Sequence, residues 1–313
     1  VIQTFYRGSV KDLLGPTKIS QTNAVIFEYT DAFSVFNWGK MPDLLPKKGE
    51  ALALLAAHFF DRIEKPETWK EFSRSTEALA LRKANRFGGI FNELGEELQG
   101  NGLRTHYLGV IDSSAQLQAP VEPKSLSQVS APFRRIAVSQ VFAVKPTLSP
   151  VLGRVLPDYY PTRSASSPRL IPFEVGFHFS CQEGNSLLAK VEKDPTYLAS
   201  LGFPEARAEV GVHWDFPVLE LMTKLETVNR PIGLSEALAI SGLSARQLQD
   251  ILLKTAWVAG LLKFWCRKSG LELAEGKLEW GISADGRNFL VDAIGPDEMQ
   301  ILKDGIQLSK EFL

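Results

Sequence analysis

The residues best suited to chemistry lie at 277–298, KLEWGISADGRNFLVDAIGPDE. Asp285-Gly286 signals a two-residue hairpin, because a type I′ turn needs φ > 0 at both central positions. That turn pairs Trp280 with Val291, Leu278 with Ala293 and Ile282 with Phe289 on an apolar face, and sets Glu279 opposite Asp292 on the other. Like charges facing each other across a sheet repel, so the pair calls for compensation. A divalent cation would supply it, since Mg²⁺ binds through one or two carboxylates plus substrate phosphates. Lys277, on the same face, would contact a phosphate or neutralise one acid. The alternative is a solvated face whose acids pair with nearby lysine or arginine.

Several elements must position these groups. A helical period begins in LLPKKGEALALLAAHFFDRIEK, with Ala51, Leu54, Leu55, His58 and Phe59 expected on its buried face. Lys47, Lys48 and Gly49 stand at its start, where free N–H groups and the helix dipole favour an anion. ETWKEFSRSTEALALRKANRF predicts a second helix and NELGEELQGNG a short third. The longest helix falls in SGLSARQLQDILLKTAWVAGLLKFWCRKSG, opened by a Ser244/Gln247 capping box, with a stripe from Leu248 to Trp265. Strands are expected near the N-terminus, in RRIAVSQVFAVKP and in IPFEVGFHFSCQEGNSLL. The Ser/Pro-rich stretches 112–133 and 153–170 predict a linker and a surface loop.

Composition narrows the function class. The chain has 313 residues, 44% hydrophobic and 23% charged, with a net charge of −1, so nothing draws it to nucleic acid or an anionic membrane. Its apolar runs are too short to span a bilayer. The two cysteines make no disulfide framework and the four histidines no zinc spacing. The expectation is a cytoplasmic protein, a homo-oligomer being left open.

Five segments, in order, resemble the SAICAR synthetase (phosphoribosylaminoimidazole-succinocarboxamide synthase) family. YRGSVKDLLG is similar to its opening glycine-rich loop, and TDAFSVFNWGKMPDLLPKKGEAL to its TDR-S…KG segment. IPFEVGFHFSCQEGNSLL resembles P-x-E-x-x-VR…GS, and LMTKLETVNRPI resembles T-K…HD-x-x-I. LELAEGKLEWG…FLVDAIGPDEMQIL resembles L-x-D-x-KLEFG…LxDE-x-SPD-x-x-R. Together they span nearly the whole chain apart from about 112–170.

The resemblance implies an α/β (α+β) protein in two parts, 1–133 and 134–313, with antiparallel sheets and an ATP cleft between them. It implies a ligase that uses ATP to activate carboxyaminoimidazole ribotide, the amine of aspartate then forming the amide. Glu279 and Asp292 match the family's metal acids. Gly8, Lys11, Lys48 and Gly49 fall at nucleotide-binding positions, and Lys277, Lys224 and Asp297 near the reacting groups. Ser34, His178, Ser186, Arg230 and Gln300 fall on the substrate side.

Departures concentrate there. His178 and Gln300 stand where the family has arginine, Ala32 replaces the arginine of TDR, and Asn37 replaces a nearby aspartate. Arginine is the residue suited to bidentate phosphate and carboxylate binding. Three readings follow: a SAICAR synthetase in which Arg154, Arg163, Arg169 or Arg230 compensates, a same-fold ligase with other substrates, or a non-catalytic nucleotide binder.

Overall fold

The computed structural model describes residues 2–35, 39–112, 121–129 and 132–308; Asn37 and, within the 112–133 stretch, residues 113–120 and 130–131 lie outside them. Strands β1 (Thr4–Arg7), β2 (Lys11–Ile19), β3 (Thr22–Tyr29), β4 (Ala32–Val35) and β5 (Gly39–Leu44) come first. Helices α1 (Lys48–Ile63), α2 (Pro66–Phe72), α3 (Thr76–Ala84) and α4 (Gly89–Asn101) follow. Next come β6 (Tyr107–Ile111), β7 (Arg135–Ser139), β8 (Thr147–Val151), β9 (Arg154–Asp158), α5 (Tyr160–Arg163) and β10 (Arg169–Ser180). Then come α6 (Ser186–Lys193), α7 (Tyr197–Ser200), β11 (His213–Thr223), β12 (Pro231–Ile232), α8 (Leu234–Ser241) and α9 (Ala245–Lys268). The chain closes with β13 (Glu272–Ile282), β14 (Asn288–Val291), β15 (Met299–Lys303) and β16 (Ile306–Gln307).

Two antiparallel sheets dominate. The first has five strands in the order β1-β2-β3-β7-β6; the second has seven, β12-β11-β10-β13-β15-β16 with β14 also on β13. They are tied together where His106 N–H donates to Leu290 C=O at 3.0 Å and Leu290 N–H to Arg104 C=O at 3.0 Å. Arg135 was expected to open the C-terminal part, yet β7 sits between β3 and β6 in the first sheet. The core also crosses the expected boundary at 133: Trp257 of α9 stacks on Phe91 of α4 with centroids 4.7 Å apart. A division of the chain follows the sheets better when drawn after Ser139.

Helix α9 carries the expected capping box, Ser244 with Gln247. It is buried almost all round, Leu253, Ala256 and Trp257 included, which a single stripe does not describe. The second predicted helix is two, because Ser75 caps α3 by accepting from Ala78 N–H. Helix α1 presents the opposite face from the one expected. Leu52, Ala53, Ala56, Ala57, Phe60 and Ile63 are buried, while Leu54 and His58 are exposed. ALALLAAHFF is apolar on both sides, so periodicity does not choose; the small alanines let the backbone lie close to the first sheet.

The closing hairpin is one residue out of the expected register. Glu279 pairs with Val291, Trp280 with Leu290 and Ile282 with Asn288. Its loop has three residues rather than two. Gly286 N–H donates to Ser283 C=O and Gly286 has φ 77°, the turn-plus-left-handed-residue form of a longer hairpin. The apolar face survives the slip, since Trp280 is fully buried and its indole N–H donates to Thr255 Oγ1 of α9 at 3.0 Å. What changes is Asp292. It is not across from Glu279 but just past the end of β14, at φ 66°.

Candidate active site

A cleft of about 900 Å³ opens between the two sheets. One wall is the β1–β2 turn with Gly8, Ser9, Val10 and Lys11, backed by Phe27 and Val138. The other carries Lys224, Lys277, Glu279, Asp292, Asp297 and Glu298. Gly8 is required by the turn: a Cβ there would stand 2.6 Å from Lys11 C=O, which accepts the Gly8 N–H at 3.0 Å.

Antiparallel partners share a face, so register assigns the polar groups. Glu174 lies beside Glu279, Gly176 beside Lys277, and His178 beside Glu275. Glu220 flanks Gly176 on the other side, and Gln300 is paired with Glu275. One face of the second sheet is therefore a continuous polar strip, while α9 packs on the other.

At the cleft end, acids and lysines alternate. Lys11 Nζ lies 2.7 Å from Asp292 Oδ1. Lys224 Nζ is 2.5 Å from Glu279 Oε1 and 3.4 Å from Glu174 Oε2, and Lys277 Nζ is 3.0 Å from Glu174 Oε2. Lys48 Nζ reaches Asp297 Oδ2 at 2.9 Å. Burial, together with the Asp292 charge, pushes the Glu279 carboxyl up to about 8 against the pull of Lys224 and Lys277. Burial also opposes the Asp292 charge, but Lys11 and Lys224 outweigh it and hold Asp292 well below the usual carboxylate range. Glu279 and Asp292 both line the cleft and lie near enough for each to act on the other's charge. Asp292 does so from its left-handed position past the end of β14, not from across the ladder.

Asp292 is fixed from behind by His106, whose Nε2 lies 3.1 Å from Asp292 C=O. Burial between Phe27 and Phe60 pushes the imidazole down to about 3, so it is neutral and donates from Nε2. On the helix side, Asp31 accepts from Gly49 N–H at 2.9 Å and from both ends of the Arg134 guanidinium. Gly49 is needed there because a Cβ would fall 2.6 Å from Tyr29 C=O.

Of the residues singled out in the sequence, Gly8, Lys11, Lys224, Lys277, Glu279, Asp292 and Asp297 line the cleft, Lys48 is joined to it through Asp297, and Gly49 is held by Asp31 outside the lining. His178 and Gln300 lie at the far end of the strip instead, and Ser186 opens α6 behind Asn185, which donates to Glu275 at 2.6 Å. Ser34 pairs with Lys40 in the β4–β5 ribbon, outside the cleft lining. Arg230 is committed to Glu226 and Glu236. Arg169 donates to Ser241 C=O and Arg163 to Ala239 C=O, while Arg154 lies on the exposed β8–β9 ribbon. None of these four arginines is hydrogen-bonded into the strip. Sequence reasoning passed over Glu174, His106 and Glu298. A single acid inside the apolar strand IPFEVGFHF was the available signal for Glu174; nothing local marks His106.

A glycine-turn wall facing a bank of lysines and carboxylates is suited to seating phosphate groups and a cation, as a protein of ATP-dependent ligase class requires. The chain belongs to the SAICAR synthetase family, whose model matches residues 4–88 and 204–312. A putative phosphoribosylaminoimidazole-succinocarboxamide synthase of Archaeoglobus fulgidus is 27% identical over 308 residues, 98% of this chain and 77% of that protein. The synthase of Caldivirga maquilingensis is 33% identical over 97 residues, 31% of this chain and 40% of its own length. Among solved structures, a SAICAR synthetase in complex with ADP superposes with a TM-score of 0.58 at 18% identity, covering 98% of this chain and 88% of that one. The Ehrlichia chaffeensis synthase gives 0.58 at 14%, covering 99% and 90%. No helix among the described residues is long and apolar enough to cross a membrane.

Proposed function

We propose that this chain uses Mg·ATP to activate a carboxylate as an acyl phosphate and joins it to an amine, forming SAICAR from carboxyaminoimidazole ribotide and aspartate in the cytoplasm. The observation that carries this reading is the Lys11–Asp292–Glu279–Lys224 array, drawn from both sheets into one cleft. The names borne by its relatives support it.

The donor set fits magnesium. Two carboxylates with hard oxygens line the same cleft, Glu279 buried and Asp292 partly exposed, and burial keeps Glu279 from ionising freely. Among the described residues no group of three or more His, Cys, Asp or Glu side chains is arranged to hold a metal ion by itself, which suits an ion completed by phosphate oxygens rather than an all-protein cage. Glu279 and Asp292 would hold it, and it would supply neutralisation of phosphate charge. Lys11 and the Gly8 turn orient the phosphates, and Lys277 and Lys224 meet the carboxylate oxygens and the transferring phosphoryl group. Such chemistry depends on positioning and charge stabilisation. Lys48 holds Asp297 in place behind them.

The test is ADP release, coupled to NADH oxidation, with carboxyaminoimidazole ribotide and aspartate. Mg²⁺-dependent release that requires both substrates, and is lost in Glu279→Ala, supports the assignment. Nucleotide binding without release under those conditions removes it.

A further inference from the structure

Among the described residues five acids line the cleft: Glu226, Glu279, Asp292, Asp297 and Glu298. Four of them are committed to cations. Glu226 pairs with Arg230, Glu279 with Lys224, Asp292 with Lys11 and Asp297 with Lys48. The carboxyl of Glu298, by contrast, forms no ion pair and accepts no hydrogen bond among the described residues. It is also partly open to solvent.

Backbone bonds fix where this acid stands. Gln300 pairs with Glu275 and Met299 with Gly276. The register runs one step further, since Lys277 N–H donates to Glu298 C=O at 3.0 Å. Antiparallel partners share a face, so Glu298 stands beside Lys277, and both line the cleft. Glu298 N–H donates in turn to Gly295 C=O at 3.0 Å, so the residue is held from both sides. In the ligase reading the activated carboxylate reacts beside Lys277 and Lys224. The amine that attacks it must be unprotonated, yet an aliphatic amine is mostly protonated in neutral water. A carboxylate without a cation of its own can hold an ammonium group and take its proton. Each of the four paired acids would first have to give up its lysine or arginine.

We propose that Glu298 receives the ammonium group of the amine substrate beside Lys277 and takes one proton from it, releasing the free amine for attack. The inference rests on the ligase reading for where the acyl phosphate forms. The nitrogen lone pair makes the C–N bond to the acyl carbon. The C–O bond to phosphate breaks, and the phosphate leaves with that electron pair. A second nitrogen proton departs with it as hydrogen phosphate, so the amide is neutral. Glu298 returns its own proton to water through its open side.

The test exchanges the nucleophile. ADP release by the full chain is measured with Mg·ATP, carboxyaminoimidazole ribotide and either aspartate or hydroxylamine. Hydroxylamine is already unprotonated at neutral pH and needs no base. Glu298→Gln is expected to lower kcat with aspartate by roughly 100-fold or more, a typical loss for a general base. Release with hydroxylamine should stay near the parent rate. Glu298→Asp, which keeps a carboxyl, should recover part of the aspartate rate. An equal loss with both amines overturns the proposal, because Glu298 then serves carboxylate activation or the fold. An aspartate rate that survives in Glu298→Gln overturns it as well. The rise in melting temperature given by Mg·ATP should match between parent and Glu298→Gln; its absence from the variant also counts against the proposal. A parent that binds nucleotide but releases ADP with neither amine removes the ligase reading, and this inference with it.

Discussion

Lys11 of the first sheet and Asp292 of the second meet at 2.7 Å, the amine and carboxylate retaining 16% and 28% of their side-chain exposure. This ion pair closes the back of the cleft. It also neutralises an acid that the fold holds near a second one. Removing one partner of a buried pair leaves an uncompensated charge. Lys11→Met is therefore expected to destabilise the metal-free chain by roughly 2–3 kcal/mol, allowing for the partial exposure. Adding Asp292→Asn should recover most of that loss. Urea unfolding of the single and double variants checks it: equal midpoints would mean that the pair contributes nothing.

Glu279 sets function against stability. Burial and Asp292 both resist its ionisation, so an amide should be tolerated better than the acid in the absence of ligand. Lys224 would keep Glu174 at 3.4 Å as a partner. Glu279→Gln is expected to melt at or above the parent temperature without nucleotide, and to lose the rise that Mg·ATP gives the parent. Thermal melts with and without Mg·ATP decide this. A variant that melts lower alone but is still stabilised by Mg·ATP would place the ion elsewhere.

The partial success of the sequence reading has a physical origin. The pairing of Glu279 with Asp292 was anticipated, but through a register that does not occur. Asp-Gly suits a two-residue type I′ turn and equally supplies the left-handed glycine of a three-residue loop, and the choice shifts every cross-strand partner by one. Both acids still line the cleft, Asp292 from a left-handed position at φ 66° past the ladder, and no local pattern forecasts a left-handed aspartate. Helix α9 was legible because its capping box is chemically specific. The buried face of α1 was not, since two faces of ALALLAAHFF are equally apolar and only the approach of the sheet selects the alanine side. His106 and Glu174 act through residues distant in the chain, Asp292 and Lys277, and such contacts leave no trace in spacing.

Glu298 gives the apo protein a pH signature. Burial, with Asp292 and Asp297 adding to it against Lys11, pushes its carboxyl up to about 7 from 4.5. Between those values the folded chain holds a proton that the unfolded chain has released, so stability falls as pH rises across that window. The contribution is on the order of 1–3 kcal/mol. Chemical denaturation of the parent and of Glu298→Gln, from about pH 4.5 to about pH 7.5, should show a shallower decline in the variant. Parallel curves would mean that Glu298 titrates normally.

The start of α1 is joined to the cleft through Lys48 and Asp297, and a single methyl group on the neighbouring Gly49 tests how tightly. A Cβ at this position would sit 2.6 Å from Tyr29 C=O and 3.1 Å from the Arg134 guanidinium. The carbonyl belongs to β3 and cannot swing aside as a side-chain tip would. Relief must come from moving the helix start, which carries Lys48 and its 2.9 Å contact to Asp297. Overpacking of this kind costs about 1–3 kcal/mol. Gly49→Ala is therefore expected to lower the melting temperature and also to weaken Mg·ATP binding, because Asp297 loses its anchor beside the cleft. Gly100→Ala, where a Cβ meets nothing within 4 Å, is the control that should do neither. If Gly49→Ala melts lower yet binds Mg·ATP as the parent does, the helix start supports the fold alone and Lys48 has no part in shaping the nucleotide site.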